Sequence, residues 1–441
     1  MKQVEAPLSK SSLLQYGLIA LPVAFAGFPI YVLAPDYYAS QFGVSLSSLA
    51  SVLLFLRLID GLQDPFIGAV SDYLQNKRFS IIILAAILLS VSFWFLFQPL
   101  EDVWMLFWFA LTVFFVSTAY SILVINITAL GGIWSCPSHQ RTRVAMYREA
   151  LALVGLLLAV ILPTFFMQHY SPSISFAVVS LVLNVLLIIG LVAFFSWYQI
   201  HRVDLELRND EVPAKSAMKS SVLRSYFKKL SSLPSETRYF YLIYGLSMLA
   251  SSIPAILVIF FVRDYLQAPV YIGLFLSLYF LSGAFGMVIW SRLSQKWDDK
   301  LKTWLFAMIL AVLSFIWVLL LNPGDLVAYA LICIISGFAF GAELSLPPSI
   351  LADYIALQKR EKESGFLYSQ LTLLTKLSLA GATAAVFPIL DSAGFKPADV
   401  NDKSSLSVLV ICYGLVPCLI KLFSIGFLIR QLHGHHFTKE Y

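Results

Sequence analysis

The chain has 441 residues, of which 59% are hydrophobic and only 12% charged, with a formal net charge of +5 and a mean hydropathy of +0.82. That is too little charge to cover a water-soluble globule, so lipid is the solvent for most of the chain. The basic excess does not imply nucleic acid, because in membrane proteins lysine and arginine mainly record which loops face the cytoplasm.

A helix needs about 20 apolar residues to cross the hydrocarbon core. Runs of that kind occupy residues 13 to 40, 46 to 72, 79 to 99, 103 to 134, 146 to 168 and 173 to 199. The first follows Lys2 and Lys10; it is too long, and too aromatic at its far end, for a cleavable signal and reads as a retained first helix. The interval from His201 to Arg238 carries seven further basic residues between Arg202 and Lys229 and cannot be a span. The pattern resumes at 238 to 265, 268 to 294, 301 to 321, 325 to 355, 363 to 390 and 404 to 431. The expected fold is therefore an all-α membrane protein with 12 transmembrane helices in two six-helix bundles. Residues 1–200 and 238–441 form the bundles, and 201–237 the linker.

Basic residues set the orientation. Lys77 and Arg78, Arg141 and Arg143, the linker, the group from Arg292 to Lys302 and the group Lys359, Arg360 and Lys362 all fall on one side. The other side holds little beyond Arg263, Lys396 and Lys403. Both termini are expected in the cytoplasm of a cell whose plasma or inner membrane the chain spans. Two bundles joined by a basic cytoplasmic linker is the organisation of carriers that rock two halves around a midplane site. A weak internal echo fits duplication: Gln140-Arg141-Thr142-Arg143 followed by Tyr147 is answered by Gln358-Lys359-Arg360 followed by Tyr368.

The second run contains Arg57, Asp60 and Asp64 near its centre, with Gln63 beside them. Each intramembrane charge costs at least about 2.5 kcal/mol on insertion scales, so such residues face a bundle interior or an aqueous cavity. Spacings of three and four place them on one helical face. Lys376 sits at a similar depth in the eleventh run, in the other half. Two carboxylates and a lysine in low dielectric form a cation-coupling device: Na⁺, Li⁺ or H⁺ neutralises the acids and the lysine competes for them when the cation is absent. The alternative is an inert ion-pair set that fixes helix packing, which fits Arg57 better than the two acids.

Little else in the chain offers chemistry. Cys333, Cys412 and Cys418 lie in apolar runs and Cys136 in a loop, without metal-ligand spacing. His433, His435 and His436 form a short C-terminal cluster read as a solvated tail, so no metal site is assigned. Glu343 in the tenth run reads as a residue that snorkels or pairs near the boundary, with a second proton site as the alternative, and Glu149 beside Arg148 as interfacial. No histidine falls in the middle of a span, which disfavours a membrane-embedded enzyme.

The pattern Arg-x-x-Asp-x-x-x-Asp-Pro-x-x-Gly-x-x-x-Asp over Arg57 to Asp72 resembles the second helix of the glycoside-pentoside-hexuronide:cation symporters, the melibiose carrier family of the major facilitator superfamily. Ile125-Asn126-Ile127, Gln140 to Arg143 and Tyr147-Arg148 are similar to its fourth and fifth helices and the loop joining them. Leu346 to Asp353, Lys362, Ser364-Gly365 and Lys376 look like its tenth helix, following loop and eleventh helix. The resemblance spans nearly the whole chain and implies the major facilitator fold. It implies that Asp60 and Asp64 bind the coupling cation, with Gln63 where the family uses asparagine and Leu123 where it uses threonine. Lys376 then matches the coupling lysine near both sites and Arg148 an arginine lining the solute pocket; Arg57, as a partner of the acids, is read as a second coupling residue and Tyr120 as an aromatic around the inferred cavity.

Two positions depart from the sugar carriers. Where those place carboxylates that bind sugar hydroxyls, this chain has Ala24 and Asn126. An alanine cannot form bidentate bonds to vicinal hydroxyls, so a galactoside pocket of the known kind is not expected. Gly68 to Asp72 with Lys77 and Arg78 resembles the superfamily's cytoplasmic gating signature, in which the glycine allows close helix approach and the aspartate caps a helix or pairs with arginine. Arg141, Arg143 and Asp353 complete that expected gate. The reading is a cation-coupled symporter of a small solute such as a sugar or glycoside, monomeric in the bilayer and without a cofactor other than its cation. Carriage of a lysophospholipid or another amphipathic solute is the alternative within the fold, and a receptor or scaffold the alternative outside it.

Overall fold

The computed structural model describes residues 8–100, 103–134, 138–167, 169–207, 229–396 and 401–438. Among the described residues the chain is built from helices, with no strand. This is the solution lipid imposes, since each backbone N–H and C=O must find its partner inside its own segment.

Among the described residues, twelve long helical segments follow in chain order. The first, α1, runs as Lys10–Gly17, Ala20–Phe28, a π turn Pro29–Leu33 and Ala34–Phe42; then come α2 (Leu46–Tyr73), α3 (Arg78–Phe97), α4 (Met105–Ile133), α5 (Ser138–Met167) and α6 (Pro172–Leu207). The second half holds α7 (Ser235–Phe260, ending in a π turn Phe261–Tyr265), α8 (Ile272–Trp297), α9 (Lys300–Phe315, with a 3₁₀ tail Ile316–Leu320) and α10 (Leu326–Leu357). It closes with α11 (Ser364–Ser392) and α12, which runs as Lys403–Val410, a π turn Ile411–Leu415 and Val416–Thr438. Eleven of them are long and apolar enough to cross a membrane. The other is α2, whose 28 residues suffice in length but carry Arg57, Asp60 and Asp64 in mid-helix. The eleven spans together with α2 are consistent with the twelve-span expectation.

Two boundaries differ from the sequence expectation. Gln140 to Arg143 is not a loop but lies in the first turns of α5, and α6 runs on to Leu207. Hydropathy marks where hydrocarbon begins, whereas a helix continues into water as long as its backbone bonds are better made than broken. Most of the expected linker, 208–228, and Cys136 lie outside the described residues, as do the side chains of His433, His435 and His436.

The chain divides into two compact units, Met1–Ser220 with Leu351–Leu373, and Ser221–Ile350 with Leu374–Tyr441. The first packs around large aromatics: Tyr16 lies 5.8 Å from Trp134 and 5.0 Å from Trp197 by ring centroids, and its hydroxyl donates to the Ile127 carbonyl at 2.9 Å. In the second, Phe261 stacks on Tyr413 at 4.2 Å and the Tyr413 and Tyr329 hydroxyls share a 2.6 Å hydrogen bond. There α8 and α10 cross on small residues. A Cβ at Gly341 would stand 2.4 Å from the Gly283 carbonyl oxygen, so bare backbone is what lets the helices touch.

Candidate cation and solute site

The helical repeat gives α2 two faces. Leu54, Leu58, Leu62 and Phe66, four apart, form an exposed apolar stripe. Asp60 and Asp64 occupy the other side, 4% and 0% exposed. The two acids of α2 are thus turned into the unit, as their insertion cost requires.

Asp60 is surrounded by donors. Its Oδ1 accepts from Gln63 Nε2 at 3.0 Å and from Ser121 Oγ of α4 at 3.1 Å. Thr118 Oγ1, one turn earlier on α4, donates to Gln63 Oε1 at 3.2 Å. The Arg57 guanidinium lies over the Tyr31 ring of α1, 4.9 Å from its centroid, in cation–π geometry. Tyr31 and Tyr120 both lie within reach of the Asp60 and Asp64 charges, and the Tyr120 ring packs against α1 at Gly27. Two carboxylates, an amide oxygen and two hydroxyls make an all-oxygen donor set, the kind that suits hard cations or a proton. Asp60 and Gln63 are joined by a hydrogen bond and Asp64 is buried one turn further along the helix; Thr118 and Ser121 are additions.

The expected solute residues divide. Ala24 is half-buried on α1, on the same helix as Gly27 and Tyr31. Asn126 is fully buried: its Nδ2 donates to the Ile122 carbonyl at 2.8 Å and its Oδ1 accepts from Ser71 Oγ at 2.7 Å, which ties α4 to α2. Arg148 donates through Nε and Nη2 to its neighbour Glu149 and lies near Tyr16 and Tyr368. Asn126 and Arg148 therefore already hold protein partners. Leu123 is fully buried on α4. Lys376 is half-buried on α11 and belongs to the second unit.

The residues expected to form a gate all lie in the first unit, where Gly68, Asp72, Arg141 and Asp353 make close contacts. The Asp72 carboxylate accepts from the backbone N–H groups of Gly365 at 2.7 Å and Phe366 at 2.8 Å. It thus caps the first turn of α11, where the helix dipole favours negative charge. Arg78, 2% exposed, adds an ion pair to Asp72 at 2.7 Å and reaches the Ser71 carbonyl. Arg141 donates to Asp353 Oδ1 at 2.8 Å and to the Ala352 carbonyl at 3.1 Å, and Ser138 Oγ donates to Asp353 Oδ2 at 2.8 Å. Arg143, two residues further along α5, is half-buried. At Gly68 a Cβ would stand 2.5 Å from the Gly365 carbonyl oxygen. Gly68→Ala is therefore expected to cost about 1–3 kcal/mol by overpacking, read as a lowered melting temperature in detergent; an unchanged melting temperature would contradict this close crossing.

Sequence reasoning missed a second charged pair. Lys421 of α12 sits 2.9 Å from Glu343 of α10, both nearly buried. Glu343 is paired, as expected, but inside the second unit rather than snorkelling to a boundary. The signal was available, since Lys421 interrupts an apolar run just as Lys376 does.

Comparison with known proteins gives the family. The family model described as MFS/sugar transport protein matches residues 15–431. No curated protein matches by sequence. Among solved structures, a bacterial homologue of the iron transporter ferroportin in its outward-facing state is similar with a TM-score of 0.69 and 16% identity, covering 97% of this chain and 100% of that one. The major facilitator superfamily transporter FucP in its outward conformation gives 0.62 and 13%, over 94% and 98%. The human organic anion transporter MFSD10 gives 0.63 and 15%, over 95% and 98%. At these identities the likeness is one of fold.

Proposed function

This chain belongs to the MFS/sugar transport protein family, a multi-pass membrane protein of the major facilitator fold, and from that premise we propose that it is a cation-coupled symporter of a small organic solute. The proposal extends to the glycoside-pentoside-hexuronide:cation branch, on the strength of the Arg57 to Asp72 pattern. The observation that carries it is the pair of inward acids on α2, with Gln63, Thr118 and Ser121 around Asp60. A receptor or scaffold has no use for two buried acids with a set of hydroxyl donors, and their desolvation would be a pure loss.

In the mechanism, the cation enters the oxygen set at Asp60 and Asp64 and cancels one of their two negative charges. Lys376 is the positive group that stands in for the cation when it is absent, and Arg57 balances the remaining charge. Coupling is then the difference in solute affinity between the loaded and empty states. The Asp72 cap and the Arg141–Asp353 pair are the contacts that must break when access changes sides. The family description supports a sugar or glycoside as solute. A second reading, an amphipathic solute, is favoured by the absence of carboxylates at Ala24 and Asn126 and by the aromatic lining of a cavity in the second unit.

The test is solute affinity in proteoliposomes with and without Na⁺, Li⁺ or a pH step, over a panel of sugars, glycosides and amphipathic solutes. At least one cation is expected to raise the affinity for one member. Equal affinities throughout would remove the coupling proposal.

A further inference from the structure

The second unit encloses a cavity of about 330 Å³, at the small end of the roughly 300–1,000 Å³ typical of small-molecule pockets. The proposed cation site uses none of its residues. Its wall is mostly aromatic and aliphatic, with Phe275, Tyr279, Phe315 and Phe340 among the lining. Glu343 and Lys421 also line it, together with the hydroxyl residues Ser251 and Thr375. Two opposite charges placed beside an apolar void are costly to desolvate and call for a use.

The pair is asymmetric. Glu343 is held from behind: Oε2 accepts from Ser247 Oγ at 2.6 Å and Oε1 from Trp304 Nε1 at 3.2 Å. Both donors are buried and neither lines the cavity. Lys421 Nζ spans from Ser247 Oγ at 2.7 Å to Ser251 Oγ at 3.2 Å, and Ser251 is a cavity residue. The lysine side chain is 7% exposed and the glutamate 2%. Glu343 is thus bonded to groups outside the cavity, whereas Lys421 also reaches a cavity residue, Ser251.

We infer that this cavity binds an organic anion, a carboxylate carried on an aromatic or aliphatic body, with Lys421 as its headgroup contact. Lys421 keeps Glu343 and turns toward the incoming carboxylate the hydrogen now given to Ser251, whose own hydroxyl donates to the Ser247 carbonyl at 3.1 Å. A charge-assisted bond of this kind is strong where water is excluded. A cationic solute fits worse, since it would have to take Glu343 from Trp304, Ser247 and Lys421 together. A sugar also fits worse, because most of its hydroxyls would face apolar walls without partners. The inference rests on the transport reading, whose solute class it names.

Binding of radiolabelled naphthalene-1-acetate and of its uncharged amide to the full chain in nanodiscs tests it, with no gradient and no coupling cation. The acid is expected to bind about tenfold more tightly than the amide, the contribution of one charge-assisted contact. In Glu343→Gln/Lys421→Met, which removes both charges and so leaves none buried alone, the two affinities are expected to become equal while the amide still binds. Failure of wild type to bind either probe, equal affinities in wild type, or a preference that survives the double substitution would each overturn the inference. Loss of cation-dependent affinity with the acid preference intact would sink the symport reading alone; the reverse pattern would sink only this one.

Discussion

Asp60→Asn is expected to reduce cation-stimulated solute uptake into proteoliposomes by about 100-fold, or roughly 2.8 kcal/mol at 1.4 kcal/mol per decade. The substitution keeps the shape of the side chain and an acceptor for Ser121 and Gln63, so the local packing survives. What it removes is the net charge, and in a site 4% exposed the attraction between a carboxylate and a cation is poorly screened. The fold itself should therefore be intact, with a melting temperature in detergent close to that of the wild type. Solute exchange in the absence of a cation gradient should persist, because the solute contacts are unchanged. Cation stimulation retained in Asp60→Asn would show that the ion does not visit this carboxylate.

Arg78→Ala is expected to be the most damaging single change to stability. It strips the Arg78 counter-charge from Asp72, which would remain bonded to the Gly365 and Phe366 amides. Breaking a buried pair from one side costs about 3–5 kcal/mol, because the charge left behind stays desolvated. At roughly 2–4 °C per kcal/mol for domains of this size, the melting temperature should fall by on the order of 10 °C. Asp72→Ala/Arg78→Ala should recover part of that loss, since no lone charge then remains. A single variant that melts like the wild type would mean the pair does not support the fold.

The helices were legible because hydrocarbon demands long apolar runs, and the charges of α2 were legible because they violate that demand. Asp60 and Asp64 turned inward for the same reason. Thr118 and Ser121 were not readable in advance: hydroxyls at helical spacing are common in membrane helices and bond their own backbone, as Thr118 does to the Phe114 carbonyl at 2.7 Å. Lys421 carried a signal as plain as that of Lys376, but it lies in the last helix, where a lone lysine reads as one reaching for the interface. Its partner Glu343 sits two helices away, a pairing that no spacing rule reveals. Asn126 and Arg148 entered through resemblance alone, and resemblance transfers a position without its hydrogen-bond partners. Here those partners are Ser71 and Ile122 for the one and Glu149 for the other.

The π turn Pro29–Leu33 in α1 has its counterpart in Phe261–Tyr265 at the end of α7, each in the opening helix of its half. A π turn is one surplus residue wound into the coil, so it resets the angular phase of everything after it. Excising one residue would make α1 more regular and swing its outer segment by about 100°. Tyr38, which donates to the Leu96 carbonyl at 2.9 Å, and Tyr37, packed 4.9 Å from Phe176, would both leave their sockets. The irregularity behaves as a keyway: a single-codon deletion there would be far less tolerable than its neighbourhood of interchangeable apolar residues implies.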